Sequence, residues 1–138
     1  MKSCSELEAQ TRQCAGLEKD WDSYGADPPN IISVGKTLSV LKEMQSRLIE
    51  ASAVVPDASG GLGIVWARPG KYAALEVLND GTVSGVVSNH HVGGDMKIWY
   101  VDELTPLSAR EDIEPGALYL TLPESLEFIR TFMWAIYD

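Results

Sequence analysis

Two tight-turn signals set close together constrain this chain more than any other feature. Arg68-Pro69-Gly70-Lys71 has proline and glycine in type II turn order. Asn79-Asp80-Gly81 is a strong hairpin signal. Strand-like runs flank both: Leu62–Ala67, Tyr72–Leu78 and Thr82–Ser88. Strands joined by such short turns must be antiparallel, because a parallel pair needs a long crossover. A loop from Asn89 to Asp95 leads to a fourth run, Met96–Val101, and Leu118-Tyr119-Leu120 reads as a short edge strand. Residues 60–101 are therefore expected to form an antiparallel meander, in a sheet of four to five strands.

On either side of this region the apolar spacing lengthens from two to between three and four. Cys4, Leu7, Thr11, Cys14, Leu17 and Trp21 make one helical stripe. Ser5 is its expected cap, with Glu8 as the partner in a capping box, and the helix is expected to end near Lys19 or Asp20. Ile31, Val34, Leu38, Leu41, Met44 and Leu48 make a second stripe. Its cap is either Asp27, with Pro28 as the first helical residue, or Asn30. Gly35 within it marks an expected close approach of helix to sheet, and Pro56 ends the region. Thr121 and Glu124 form another capping box, with Pro123 in the first turn of a helix whose stripe is Leu122, Leu126, Ile129, Met133 and Ile136.

These elements predict one α+β domain over residues 1–138. It has a helical part (1–50), the meander (60–101), an acidic surface loop (102–117) and a C-terminal helix (121–138). Apolar residues make up 45% of the chain, enough for a real core at this length. Trp66 is expected to be buried on its strand against the second helix at Leu38 and Leu41. No apolar run is long enough to span a bilayer, and the first residues lack the apolar stretch of a signal peptide. The expected location is the cytoplasm, where Cys4 and Cys14 are free thiols on a core-type stripe.

The formal net charge is −9. It argues against direct binding of nucleic acid, which needs a basic face. It favours solubility or a basic protein partner. Between Asp95 and Glu127 there are eight acids and two bases, a net −6.

Catalytic signals are sparse. His90 and His91 are the sole histidines, and neighbours on an extended chain point apart. The simpler reading is a solvated loop pair, with no metal and no cofactor. Gly60-Gly61-Leu62-Gly63 precedes a strand, so it is not a phosphate loop. No Gly-x-Ser-x-Gly elbow is present.

The segment Trp21-Asp22-Ser23-Tyr24-Gly25-Ala26-Asp27-Pro28, with Pro56, Gly60, Gly61, Ile64 and Trp66 after it, resembles a group of small uncharacterised bacterial proteins. These carry a Trp-Asp-Gly-Tyr-Gly-Ala-x-Pro signature followed by a Gly-Gly-Ile strand ending in Trp. The likeness covers roughly residues 15 to 85. The chain departs from it at Ser23, where the signature has Gly, and more widely after about residue 88. The resemblance implies a scaffold found in mobile or defence-related gene clusters, and no chemistry. Locally, Trp21, Asp22, Tyr24, Gly25, Pro28, Gly61 and Trp66 read as structural residues. Trp21 and Tyr24 are expected to anchor the turn on the sheet, and Asp22 to cap backbone amides.

The function expected from all this is a non-enzymatic protein–protein interaction module. It would be an accessory, regulatory or antitoxin-like subunit of a bacterial defence or mobile-element system. Two alternatives are a small metal-dependent hydrolase at the His90–His91 loop and an acidic nucleic-acid mimic. Phe128, Phe132 and Trp134 widen the apolar arc of the last helix. The expected partner-binding residues are thus Asp102, Glu103, Glu111, Asp112, Glu114, Phe128 and Trp134. The acids would steer a basic partner, and the aromatics would hold it.

Overall fold

The computed structural model of the chain describes residues 1–89, 95–102 and 118–135. Its elements run α1 (Cys4–Ala15), α2 (Ile31–Ser46), β1 (Ala53–Pro56), β2 (Gly61–Arg68), β3 (Lys71–Leu78), β4 (Val83–Asn89), β5 (Asp95–Val101), β6 (Tyr119–Leu120) and α3 (Leu122–Trp134). The strands form one six-stranded sheet in sequence order. Every neighbouring pair is antiparallel except β5 and β6, which are parallel. The α+β class and the order of helices and strands are as expected, with a mixed sheet one strand larger. The additional strand is β1, whose four residues Ala53-Val54-Val55-Pro56 are too few to show a period.

Both turns join the strands expected of them. Arg68 pairs with Lys71 across Pro69-Gly70, and Gly70 has φ 76°, the conformation a type II turn requires of its third residue. At the other hairpin Leu78 N–H donates to Thr82 O at 2.9 Å, and Gly81 has φ 92°. Asn79 does more than turn the chain. Its side-chain oxygen accepts from Asn30 N–H (2.9 Å) and the Ser33 hydroxyl (2.8 Å), while its amide donates to Pro28 O (3.0 Å). The hairpin thereby grips the start of α2.

That grip explains how α2 is rotated from the expected stripe. Asn30 is the cap, and its side chain accepts from Ile32 and Ser33 N–H. Ser33, Thr37, Val40, Leu41 and Met44 face inward, while Val34 and Leu38 are half-buried. Ile31 and Leu48 are exposed, contrary to expectation. Leu48 lies past the helix end with φ 58°, its N–H on Gln45 O and the next N–H, of Ile49, on Met44 O. This is a Schellman ending in which a leucine occupies the usual glycine place. Gly35 is exposed with open space around it, so it marks no close approach. Likewise α1 is capped by Ser3 with Glu6, a shift toward the N-terminus from the expected Ser5 with Glu8, and stops at Ala15. Leu17 and Trp21 therefore lie outside the helix. The capping box of α3 is the expected one, Thr121 with Glu124.

The core fills the space between the three helices and one sheet face. Leu7 and Cys14 of α1, Leu41 and Met44 of α2, and Leu126, Ile129 and Met133 of α3 meet Leu62, Ile64, Trp66, Ala73, Leu75, Val87 and Trp99. Trp66 is fully buried, and its indole N–H donates to Glu50 O at 2.7 Å. Trp99 is fixed from two sides. Its N–H donates to the Ser125 hydroxyl at 2.8 Å, and its ring lies against Gly85, where a Cβ would overlap it.

Two substitutions should act in opposite directions. Gly85→Ala drives a methyl into the Trp99 ring and should lower stability by about 1–3 kcal/mol or more. Ser23 has φ 65°, a conformation that glycine adopts at lower cost. Ser23→Gly, as in the signature that the segment resembles, should raise stability by up to about 1 kcal/mol. Denaturant melts of both variants check the two signs.

Candidate docking face

The sheet has a second face, and the register defines it. Ala53, Val65, Ala74, Val86 and Ile98 stand opposite one another in turn across β1 to β5. They form one apolar row about 20 Å long at normal strand spacing. None of them belongs to the core cluster, whose sheet residues alternate with them along each strand. Ala74 is buried within the row, Val65 and Val86 are half-buried, and Ile98 is 58% exposed. Met96 and Val55 on the same face are also exposed. Tyr100 and Tyr119 close the face at the β5–β6 end, their ring centroids 5.5 Å apart. All described helices pack on the other side. In an antiparallel sheet with one solvated face, these positions are normally polar.

A second row crosses the same face: Val55, Gly63, Glu76, Ser84 and Tyr100. Gly63 and Ser84 leave Glu76 between two low neighbours. Its carboxyl lies within reach of the carboxyl of Asp57, just past the end of β1. Partial desolvation, then the charge of Asp57 and its acceptance of the Glu76 proton when that carboxyl is protonated, hold the Glu76 carboxyl above the ordinary glutamate range. The Tyr72 phenol on this face is also raised, first by desolvation and then by Glu76 and Asp57.

The sheet's cations lie on the other face. Arg68 donates to Met133 O (2.7 Å) and Lys71 to Phe132 O (2.9 Å), at the C-terminal end of α3 where cations are favoured. The Lys97 ammonium lies 5.9 Å from the centre of the Phe128 ring. No described strand puts a lysine or arginine on the open face.

The edges of the sheet are closed to strand addition. Val54 N–H, at the β1 edge, donates to the Gln10 side chain at 2.8 Å. Pro56 offers no donor, and β6 has two residues.

Glu103, Glu111, Asp112 and Glu114 lie outside the described residues, as do His90, His91 and Ile136. Asp102 is half-buried just after β5, its N–H on Leu120 O. Phe128 packs on Trp99 with ring centroids 5.1 Å apart, so it supports the core. Phe132 is half-buried against the same core, and of the three helix aromatics Trp134 alone is exposed, at 39%.

Around the signature segment, Asp22 accepts from the N–H groups of Tyr24 (2.9 Å) and Ala26 (3.1 Å), and Trp21 donates to Asp27 O. Gly25 has φ 82°, and Pro28 O accepts from Asn79. Tyr24 is 91% exposed and does not anchor the turn, contrary to expectation. Gly61 has φ 135°, and a Cβ there would overlap the backbone of Val77.

Cys4 and Cys14 are free, and burial raises both thiols above their usual range, the opposite of an activated nucleophile. Among the described residues, no group of three or more His, Cys, Asp and Glu side chains is placed to hold a metal ion.

Comparison with protein-family models, with curated proteins and with solved structures finds no match for this chain.

The raised Glu76 carboxyl fixes a sign. Its folded form holds the proton more tightly than the unfolded chain does. Its contribution to stability therefore falls as pH rises from the ordinary glutamate range through the raised value. The stability difference between wild type and Glu76→Gln, followed by denaturant melts across acid pH, should shift in favour of the variant in that window. Asp57→Asn should bring the Glu76 titration, read by carboxyl NMR, back toward the ordinary range.

Proposed function

We propose that the chain is a non-enzymatic protein-binding module and that the open sheet face is its binding surface. The observation that carries this reading is the apolar row Ala53–Val65–Ala74–Val86–Ile98 on the side of the sheet opposite every described helix. Apolar patches with a polar rim characterise protein–protein contacts. The row lies on strands braced by a packed core, so little ordering accompanies binding. Closed sheet edges favour contact through the face over addition of a strand. The net charge of −9 suits a partner with a basic patch, whose approach it speeds at low salt. The likeness of residues 15 to 85 to small bacterial proteins supports a setting in a defence or mobile-element system. There the chain would serve as an accessory, regulatory or antitoxin-like subunit.

The test has two stages. A tagged full chain is used to recover its partner from the native host, and the binding is then measured with purified components. Val86→Ser with Ile98→Ser should leave the melting temperature close to wild type and weaken binding by about tenfold or more, or roughly 1.4 kcal/mol. Binding that ignores this pair of changes would place the interface elsewhere. Turnover of a small substrate by the chain alone would replace the reading with an enzymatic one.

A further inference from the structure

The two faces of the sheet divide its charges by sign. Arg68, Lys71 and Lys97 are the cations of the described strands, and all three point to the helix side, where α3 engages them. The open face has the Glu76 carboxyl opposite Gly63, with Asp57 nearby where β1 runs on past Pro56 and Asp57 N–H meets Gly61 O. Among the described residues no cation forms an ion pair with either carboxylate. Two carboxyls held together beside apolar groups repel one another. A fold with no use for them there would be improved by an amide or hydroxyl in place of Glu76.

The surroundings of Glu76 are equally specific. Gly63 and Ser84, its neighbours on β2 and β4, are the smallest side chains in their row. On one flank runs the row of Val65, Ala74 and Val86, each two residues away along its strand. The result is a low place holding a negative group, edged by aliphatic side chains. A lysine or arginine fits such a place, because its methylene stem covers apolar surface while its head meets a carboxylate.

We infer that the open face selects a protein partner that presents a lysine or arginine within an aliphatic patch, the cation seated on the Glu76–Asp57 pair and the aliphatic groups on Val65, Val86 and Ile98. The inference rests on the proposed docking role of this face. A second copy of the chain is the wrong occupant. It would bring another Glu76–Asp57 pair to the same surface, and each copy carries a net −9.

Labelled short peptides serve as probes: one alternating valine with lysine, one alternating valine with glutamate, one alternating serine with lysine. Their binding to the full chain is read by fluorescence anisotropy, and the contact is mapped by amide NMR. The valine–lysine peptide should bind, moving the signals of Val65, Ala74, Val86 and Ile98, and bind about tenfold more tightly than either of the others. Asp57→Asn with Glu76→Gln, with unchanged circular dichroism, should remove most of that preference for lysine over glutamate. Rising salt should weaken what remains of the wild-type preference.

If the double variant keeps the full preference, or the valine–glutamate peptide binds equally well, the cation seat is wrong while the docking face survives. If serine–lysine binds as tightly as valine–lysine, charge alone is responsible and the inference fails. If the valine–lysine peptide does not bind, the inference fails. If it binds but Val86→Ser with Ile98→Ser changes nothing, the docking face fails with it. Self-association of the free chain through this face, seen by sedimentation and dissolved by the same two serines, also overturns the inference.

Discussion

The contact between Trp99 and Gly85 decides where the last helix lies, and the rest of the architecture follows from it. Position 85 faces inward on β4, opposite Trp99 on β5. A side chain there would occupy the place of the indole. With no side chain, the ring lies down on the strand and turns its N–H to Ser125 in the first turn of α3. Ser125 in turn donates to Thr121 O at 2.8 Å, so sheet, ring and helix start form one linked set. The far end of α3 is held by the carbonyl contacts of Arg68 and Lys71. With both ends fixed, α3 has to share the inner face with α1 and α2. Arg47 then bridges α2 and α3 through Glu127 at 2.9 Å, with Arg130 donating back to the Arg47 carbonyl.

Three helices on one face leave the described part of the sheet without a helical layer on the other. The inner face is consequently well satisfied, and the outer one is not. One cost remains inside: the Thr37 hydroxyl is buried and finds no partner among the described residues. It is the counterpart of the Ser33 hydroxyl one turn earlier, which does find one in Asn79. The helix was placed by its capped end, and Thr37 occupies the position which that placement gives it.

Local chemistry was readable in advance, and face assignment was not. The Pro69-Gly70 and Asn79-Asp80-Gly81 turns and the Thr121 cap each depend on a few neighbouring residues, so their identities suffice. The stripe of α2 held at Val34, Leu38, Leu41 and Met44 and missed at Ile31 and Leu48, which belong to helix ends that follow capping geometry. The open face was hidden for a related reason. Val65 is flanked by Ile64 and Trp66, and Val86 by Gly85 and Val87, so no polar alternation marks one side of β2 or β4 as solvated. The cross-strand register is needed to see that Val65, Val86 and Ile98 share a row. The aromatic residues of α3 misled in the opposite sense: Phe128 looked surplus to one helical stripe, yet it covers Trp99, a tryptophan from another element. For the acids between Asp102 and Glu114, composition remains the sole guide, because most of that stretch lies outside the described residues.

An exposed apolar sheet face is a hazard to a free protein, and the remaining features of the chain can be understood as limits on it. Sheets aggregate most readily through their edges. Here one edge strand ends in Pro56 and has its Val54 amide covered by Gln10, and the other is two residues long. Contact through the face is then the route left open, and it is the one that charge governs. Every copy carries the same excess of acid, and every copy places Glu76 at the middle of the face with Asp57 beside it. Two such faces repel, whereas a face with a central cation does not. On the docking role proposed above, the Glu76–Asp57 pair would act in both directions at once: it would discourage the wrong occupant, a second copy, by the same Coulomb term that favours a basic one.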